Sequence, residues 1–198
     1  MTRRTMAQLL GFAAVPLALV AATPTRTTTR PRAVVRELST TNAHELRAEG
    51  TIEIHAPVET VWDTVIDFDA RVDESWMIQS VTIYDEQHTG AHLHRGARWD
   101  LNILGVRVIY STRYVGDRSQ GTIRWMLDGT KENDIESGSG EYVISPVPGD
   151  PTSSRVVYTF AIASDQDVAG ALRRRLTTKG VRRTLEQIRT RAEHGGQA

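Results

Sequence analysis

From residue 46 to residue 162 apolar and polar side chains alternate with period two in a series of short runs, the pattern of strands with one buried face. Ile52 and Ile54 share a face of the first run. Trp99, Leu101 and Ile103 alternate with Arg98, Asp100 and Asn102 in a later one. The longest run places Val106, Val108, Tyr110, Thr112 and Tyr114 on one side, and Arg107, Ile109, Ser111, Arg113 and Val115 on the other. Ile123, Trp125 and Leu127, then Tyr142 and Ile144, then Val156, Tyr158, Phe160 and Ile162 continue the inner face. Val81 and Ile83 mark a further strand, with residues 88–95 read as the turn after it and residues 128–139 as a polar loop.

Helical spacing enters at three places. After Ala56-Pro57 the stripe Val58, Val61, Trp62 and Val65 predicts a helix ending near Asp67, with a second short helix over 69–75 leading to Trp76. Towards the end, Val168, Ala169, Leu172 and Leu176 cluster on one helical face, whereas Val181, Leu185, Ile188 and Ala192 cluster on the opposite one. One straight helix cannot turn both groups to one sheet, so a break is expected at 177–180, followed by a long terminal helix. The expected class is therefore α+β: a curved antiparallel sheet of about seven strands, two short helices, and a long C-terminal helix over a hollow.

Composition narrows the chemistry. With 198 residues the chain suits one domain with tails. The absence of Cys excludes disulfides, thiolate nucleophiles and thiolate zinc sites. The net charge of zero conceals a segregation. Residues 1–36 hold six Arg and no acid, residues 37–170 carry a balance of −12, and residues 171–198 carry +6. Residues 1–22 read as an export signal or N-terminal anchor, because Arg3 and Arg4 precede an apolar stretch ending in Val20-Ala21-Ala22. The expected address is therefore exported, secreted or membrane-tethered, and cytoplasmic if that start is mis-assigned. Residues 23–45 read as a flexible linker, with 33–44 open to a short helix, and residues 46–194 as the ligand-binding domain.

Thr51-Ile-Glu-Ile-His-Ala-Pro-Val-Glu-Thr-Val-Trp-Asp, the Ser139-Gly-Glu-Tyr-Val-Ile and Arg155-Val-Val-Tyr-Thr-Phe strands, and the terminal Leu185-Glu-Gln-Ile-Arg-Thr-Arg-Ala-Glu resemble the helix-grip superfamily. That superfamily joins START domains, polyketide cyclases and birch-pollen allergens, and the likeness is nearest its polyketide cyclase and coenzyme Q-binding branch. The resemblance implies a cavity for a hydrophobic small molecule such as a lipid, quinone or polyketide. It leaves carriage open against cyclase or dehydratase chemistry, since one fold hosts many functions.

The inner-face rings are the candidate site. Trp76, Trp99, Leu101, Tyr110, Thr112, Trp125, Tyr142, Tyr158, Phe160, Leu185 and Ile188 are expected to converge beneath the terminal helix. They either fill the core or line a pocket, and the resemblance favours the pocket. Tyr110 and Tyr158 are the proton donors if the protein is an enzyme. No inward strand position is Lys, Arg, Asp or Glu, so the ligand is expected to be neutral at its buried end. Arg173, Arg174, Arg175, Lys179, Arg182 and Arg183 form a basic cluster. It reads as a solvated face or a dock for anionic lipid, with nucleic acid less favoured for want of neighbouring aromatics. His88, His92 and His94 read as loop histidines, and the acids at 67–74 lack the Gly and closing Glu of a calcium loop. No nucleophile elbow, phosphate loop or dinucleotide fingerprint occurs, so neither metal nor cofactor is expected.

Overall fold

The computed structural model describes residues 31–40, 44–103, 105–163 and 178–195. Eight strands form one sheet in the order β1-β2-β8-β7-β6-β5-β4-β3, every neighbouring pair antiparallel. They are β1 Val34–Glu37, β2 Glu45–Ile54, β3 Ile78–Thr89, β4 His92–Ile103, β5 Val106–Asp117, β6 Thr122–Leu127, β7 Ser137–Val147 and β8 Asp150–Ala163. Helices α1 (Val58–Ile66) and α2 (Phe68–Glu74) intervene between β2 and β3, and α3 (Thr178–His194) follows the sheet. This is the helix-grip arrangement that the residue pattern leads one to expect, with one strand more.

The extra strand is β1. Where a linker or short helix was expected, Val34 pairs with Thr51 and Glu37 with Ala48, and the α3 side chains hold its start. Glu186 accepts from the Ala33 amide at 2.8 Å and Arg182 Nε donates to the Ala33 carbonyl at 3.1 Å. A second difference lies at the histidines: β3 and β4 run on through them, leaving only residues 90–91 as the turn. His88 sits 2.9 Å from Glu86, and His92 and His94 are exposed on β4. The export segment 1–22, the expected first helix around Val168–Leu176, and Arg173, Arg174 and Arg175 lie outside the described residues. Among the described residues no helix is long and apolar enough to cross a membrane.

The period-two faces land as read except at the start of β5, where Val106 is exposed. Trp99, Leu101, Ile103, Val108, Tyr114, Ile123, Trp125, Tyr142, Ile144, Val156 and Phe160 are buried, and Val181, Leu185, Ile188 and Ala192 of α3 close over them. Leu185 and Val181 meet the sheet at Gly50 of β2, so the helix touches one half of the sheet. Trp62 of α1 packs over Gly116 of β5.

On the outer face, Asp128 is only 2% exposed and accepts from Thr130 Oγ1 at 2.6 Å, Tyr84 Oη at 2.8 Å and the Thr130 amide at 3.0 Å. Arg113 Nε stands 2.9 Å away. Burial opposes the charge, but the bonds from Thr130, Tyr84 and Arg113 outweigh it and hold the carboxyl well below the usual carboxylate range. A depressed carboxyl stabilises the fold fully above its unfolded value of about 4, and the contribution fades as pH falls towards the folded value. Asp128→Asn is therefore expected to lower stability by about 2 kcal/mol at pH 7. In urea denaturation its gap from the parent protein should narrow steadily between pH 5 and pH 2; a constant gap would show that the charge is not what holds this corner.

Candidate functional site

A cavity of about 610 Å³ opens between the inner face of the sheet, the end of α2 and the start of α3. α3 lies on β2 at Gly50, and the sheet residues bordering the space come from β3 to β8. Its interior wall is aromatic and aliphatic: Leu101, Val108, Tyr110, Trp125, Ile135, Tyr142, Tyr158, Phe160, Ile162 and Ile188. Exposed Glu74, Lys179 and Arg183, with Trp76 at 42% exposure, mark where it reaches solvent. A pocket of this size suits a ligand of lipid or polycyclic dimensions.

Eight of the eleven residues read from the sequence border this space: Trp76, Leu101, Tyr110, Trp125, Tyr142, Tyr158, Phe160 and Ile188. Trp99, Thr112 and Leu185 do not. Trp99 Nε1 donates to Thr112 Oγ1 at 2.9 Å, Thr112 Oγ1 donates to the Ala97 carbonyl at 3.4 Å, and both side chains are buried within the wall. Leu185 is fully buried where α3 rests on β2. Of the basic cluster, Lys179 and Arg183 border the opening, while Arg182 is turned to β1.

The rings are ordered by stacking. Tyr142 and Tyr158 lie face to face at 4.0 Å and 7°, and Phe160 continues the row 5.8 Å from Tyr158. Burial pushes the Tyr110 and Tyr158 hydroxyls far above their ordinary value, and Tyr114 up to about 12. They remain neutral hydrogen-bonding groups throughout the working pH range.

The interior is not free of charge, contrary to the inward strand positions. Arg71 enters from α2, which alternation along strands does not read. Asp67 caps that helix by accepting from the Ala70 amide at 3.2 Å. Phe68 anchors it against Trp99 and Tyr114, with ring centroids at 5.0 and 4.7 Å. Arg71 falls three residues later, on the same helical face. Its Nη2 donates to Tyr142 Oη at 2.8 Å, and the guanidinium carbon lies 5.6 Å from the Tyr142 ring centroid and 5.8 Å from that of Phe68. Burial works against its charge, but Tyr142, Tyr114 and Tyr158 overcome that and raise the guanidinium above its ordinary value. Ile135, from the loop read as polar, and Arg191 and Gln187 of α3 also border the cavity. Arg191 Nη2 holds Asp67 at 2.7 Å, and Gln187 donates to the Glu74 carbonyl at 2.9 Å, tying α3 to α2.

The profile of a family described as polyketide cyclase / dehydrase and lipid transport matches residues 45–193. No protein with a curated description matches the chain. Among solved structures, the Zhui aromatase/cyclase from Streptomyces is similar at 18% identity, with a TM-score of 0.64 over 78% of this chain and 98% of that one. A STAR-related lipid transfer protein from Xanthomonas axonopodis gives 12% identity and a TM-score of 0.62 over 81% and 93%. A START superfamily protein from Mycobacterium smegmatis gives 19% and 0.56 over 82% and 98%. At these identities the likeness establishes the fold.

Proposed function

Since the chain belongs to the polyketide cyclase / dehydrase and lipid transport family, we propose that it binds a hydrophobic small molecule in the cavity under α3 and carries or stores it unchanged. The single observation that carries this reading is the roughly 610 Å³ space walled by Trp125, Tyr158, Phe160 and their neighbours and reaching solvent beside Trp76. Membership of this family fits both carriage and cyclisation. The tyrosines favour carriage: a proton donor works best with a pKa near the working pH, and burial drives Tyr110 and Tyr158 the other way. Lys179 and Arg183 beside the opening would set it against an anionic bilayer surface. Export by residues 1–22 would place the protein where lipid is exchanged between membranes.

Native mass spectrometry of gently purified full chain tests the proposal. A bound lipid-sized mass, released on denaturation and unchanged in structure after re-binding, is the expected result. Conversion of an added poly-ketone chain by ligand-free protein would move the assignment to a cyclase.

A further inference from the structure

Resting on that reading, we propose that the ligand is an amphiphilic acid whose carboxylate docks inside the cavity on Arg71, with its apolar body against Trp125, Phe160 and Ile135. The guanidinium offers five N–H donors, and among the described residues it forms a single hydrogen bond, to Tyr142 Oη. Its neighbours are the hydroxyls of Tyr142, Tyr114 and Tyr158, and no carboxylate among the described residues lies within ion-pairing distance of it. The nearest acid on the same helix that borders the cavity, Glu74, faces Arg191 Nε at 3.8 Å, and Asp67 is held by Arg191 as well.

Arg71 is half-buried among aromatic rings with no counter-ion among the described residues, so an anion is the partner that its remaining donors fit. The planar fork matches a carboxylate through two parallel bonds. Tyr142, itself stacked on Tyr158, bonds the fork, and the Phe68 ring lies 5.8 Å from its carbon. An all-apolar ligand would give those donors no partner, and an alcohol would accept from them without the charge or the paired oxygens that match the fork. Lys179 and Arg183 differ from Arg71 in being exposed at the opening, where water already satisfies them.

The test is displacement of the neutral fluorophore N-phenyl-1-naphthylamine from the full chain by decanoate and by 1-decanol, which share a tail and differ in the head. Decanoate should compete at a concentration at least tenfold lower than decanol. Arg71→Met should abolish that difference, decanoate then competing no better than decanol. Arg71→Lys, with charge but no fork, should keep only part of the preference, and it serves if the Met variant does not fold. Equal competition by acid and alcohol in the parent protein overturns the carboxylate dock and leaves the cavity reading standing. So does an acid preference that survives in Arg71→Met, or one lost only in Lys179→Gln/Arg183→Gln. Failure of the protein to take up the fluorophore at all overturns both.

Discussion

Gly121→Ala is expected to destabilise the protein by about 3–5 kcal/mol, a large part of the 5–15 kcal/mol typical of a domain. Gly121 ends the short 3₁₀ turn Arg118–Gln120 at φ 62°, ψ 29°, where an alanine alone costs about 1–2 kcal/mol. A Cβ there would also stand 2.0 Å from the carbonyl oxygen of Ile144. The strand cannot retreat without breaking the 2.7 Å bond from the Ile144 amide to the Gly121 carbonyl, worth about another 1 kcal/mol. Gly90 supplies the control: it has nearly the same φ, 59°, but no atom within 4 Å of the added Cβ. Gly90→Ala should therefore cost only about 1 kcal/mol in urea denaturation. Equal losses at the two positions would show that backbone conformation, and not the contact with β7, sets the requirement for glycine.

The sheet could be read from residues because its strands bury one face, and alternation then reports that face directly. Trp99, Leu101, Trp125, Tyr142 and Phe160 all fall inward as their spacing requires. Alternation reports the face but not the depth, so Trp99 and Thr112, which bond each other in the wall, could not be told from Tyr110 and Trp125, which border the space. Strand β1 escaped notice because it is four residues long and its Val34 is 70% exposed at the sheet edge. Its order comes from β2 and from Glu186 and Arg182, more than 140 residues away. The β3–β4 hairpin extends through polar histidines because β3 is exposed along most of its length and needs no apolar face there. Arg71 was missed through reading inward positions on strands alone. A helical count from Phe68 reaches Arg71 at the third residue, and only the docking of that seven-residue helix turns the face into the cavity.

Gly140→Ala is the substitution expected to harm ligand uptake most. Gly140 pairs directly with Trp125 across β6 and β7, and both positions face inward. The indole lies flat over the glycine: an added Cβ would be 2.4 Å from Trp125 Nε1 and 2.7 Å from the Thr159 carbonyl oxygen. At Gly138, two residues earlier, an added Cβ would meet the other end of the same ring, 3.3 Å from Cζ3. The Ser137-Gly-Ser-Gly run thus forms the floor that lets a tryptophan lie against the sheet. Raising the indole moves it into the roughly 610 Å³ space, so uptake of N-phenyl-1-naphthylamine should weaken at least tenfold. Stability should fall by about 2–3 kcal/mol, as overpacking in a filled wall does. The two residues are in contact, so their effects should not add. Trp125→Phe presents a smaller ring, and the Trp125→Phe/Gly140→Ala pair should recover much of the stability and part of the uptake lost by Gly140→Ala. Losses that sum independently would mean that the glycine serves Thr159 and β8 and does not hold the cavity open.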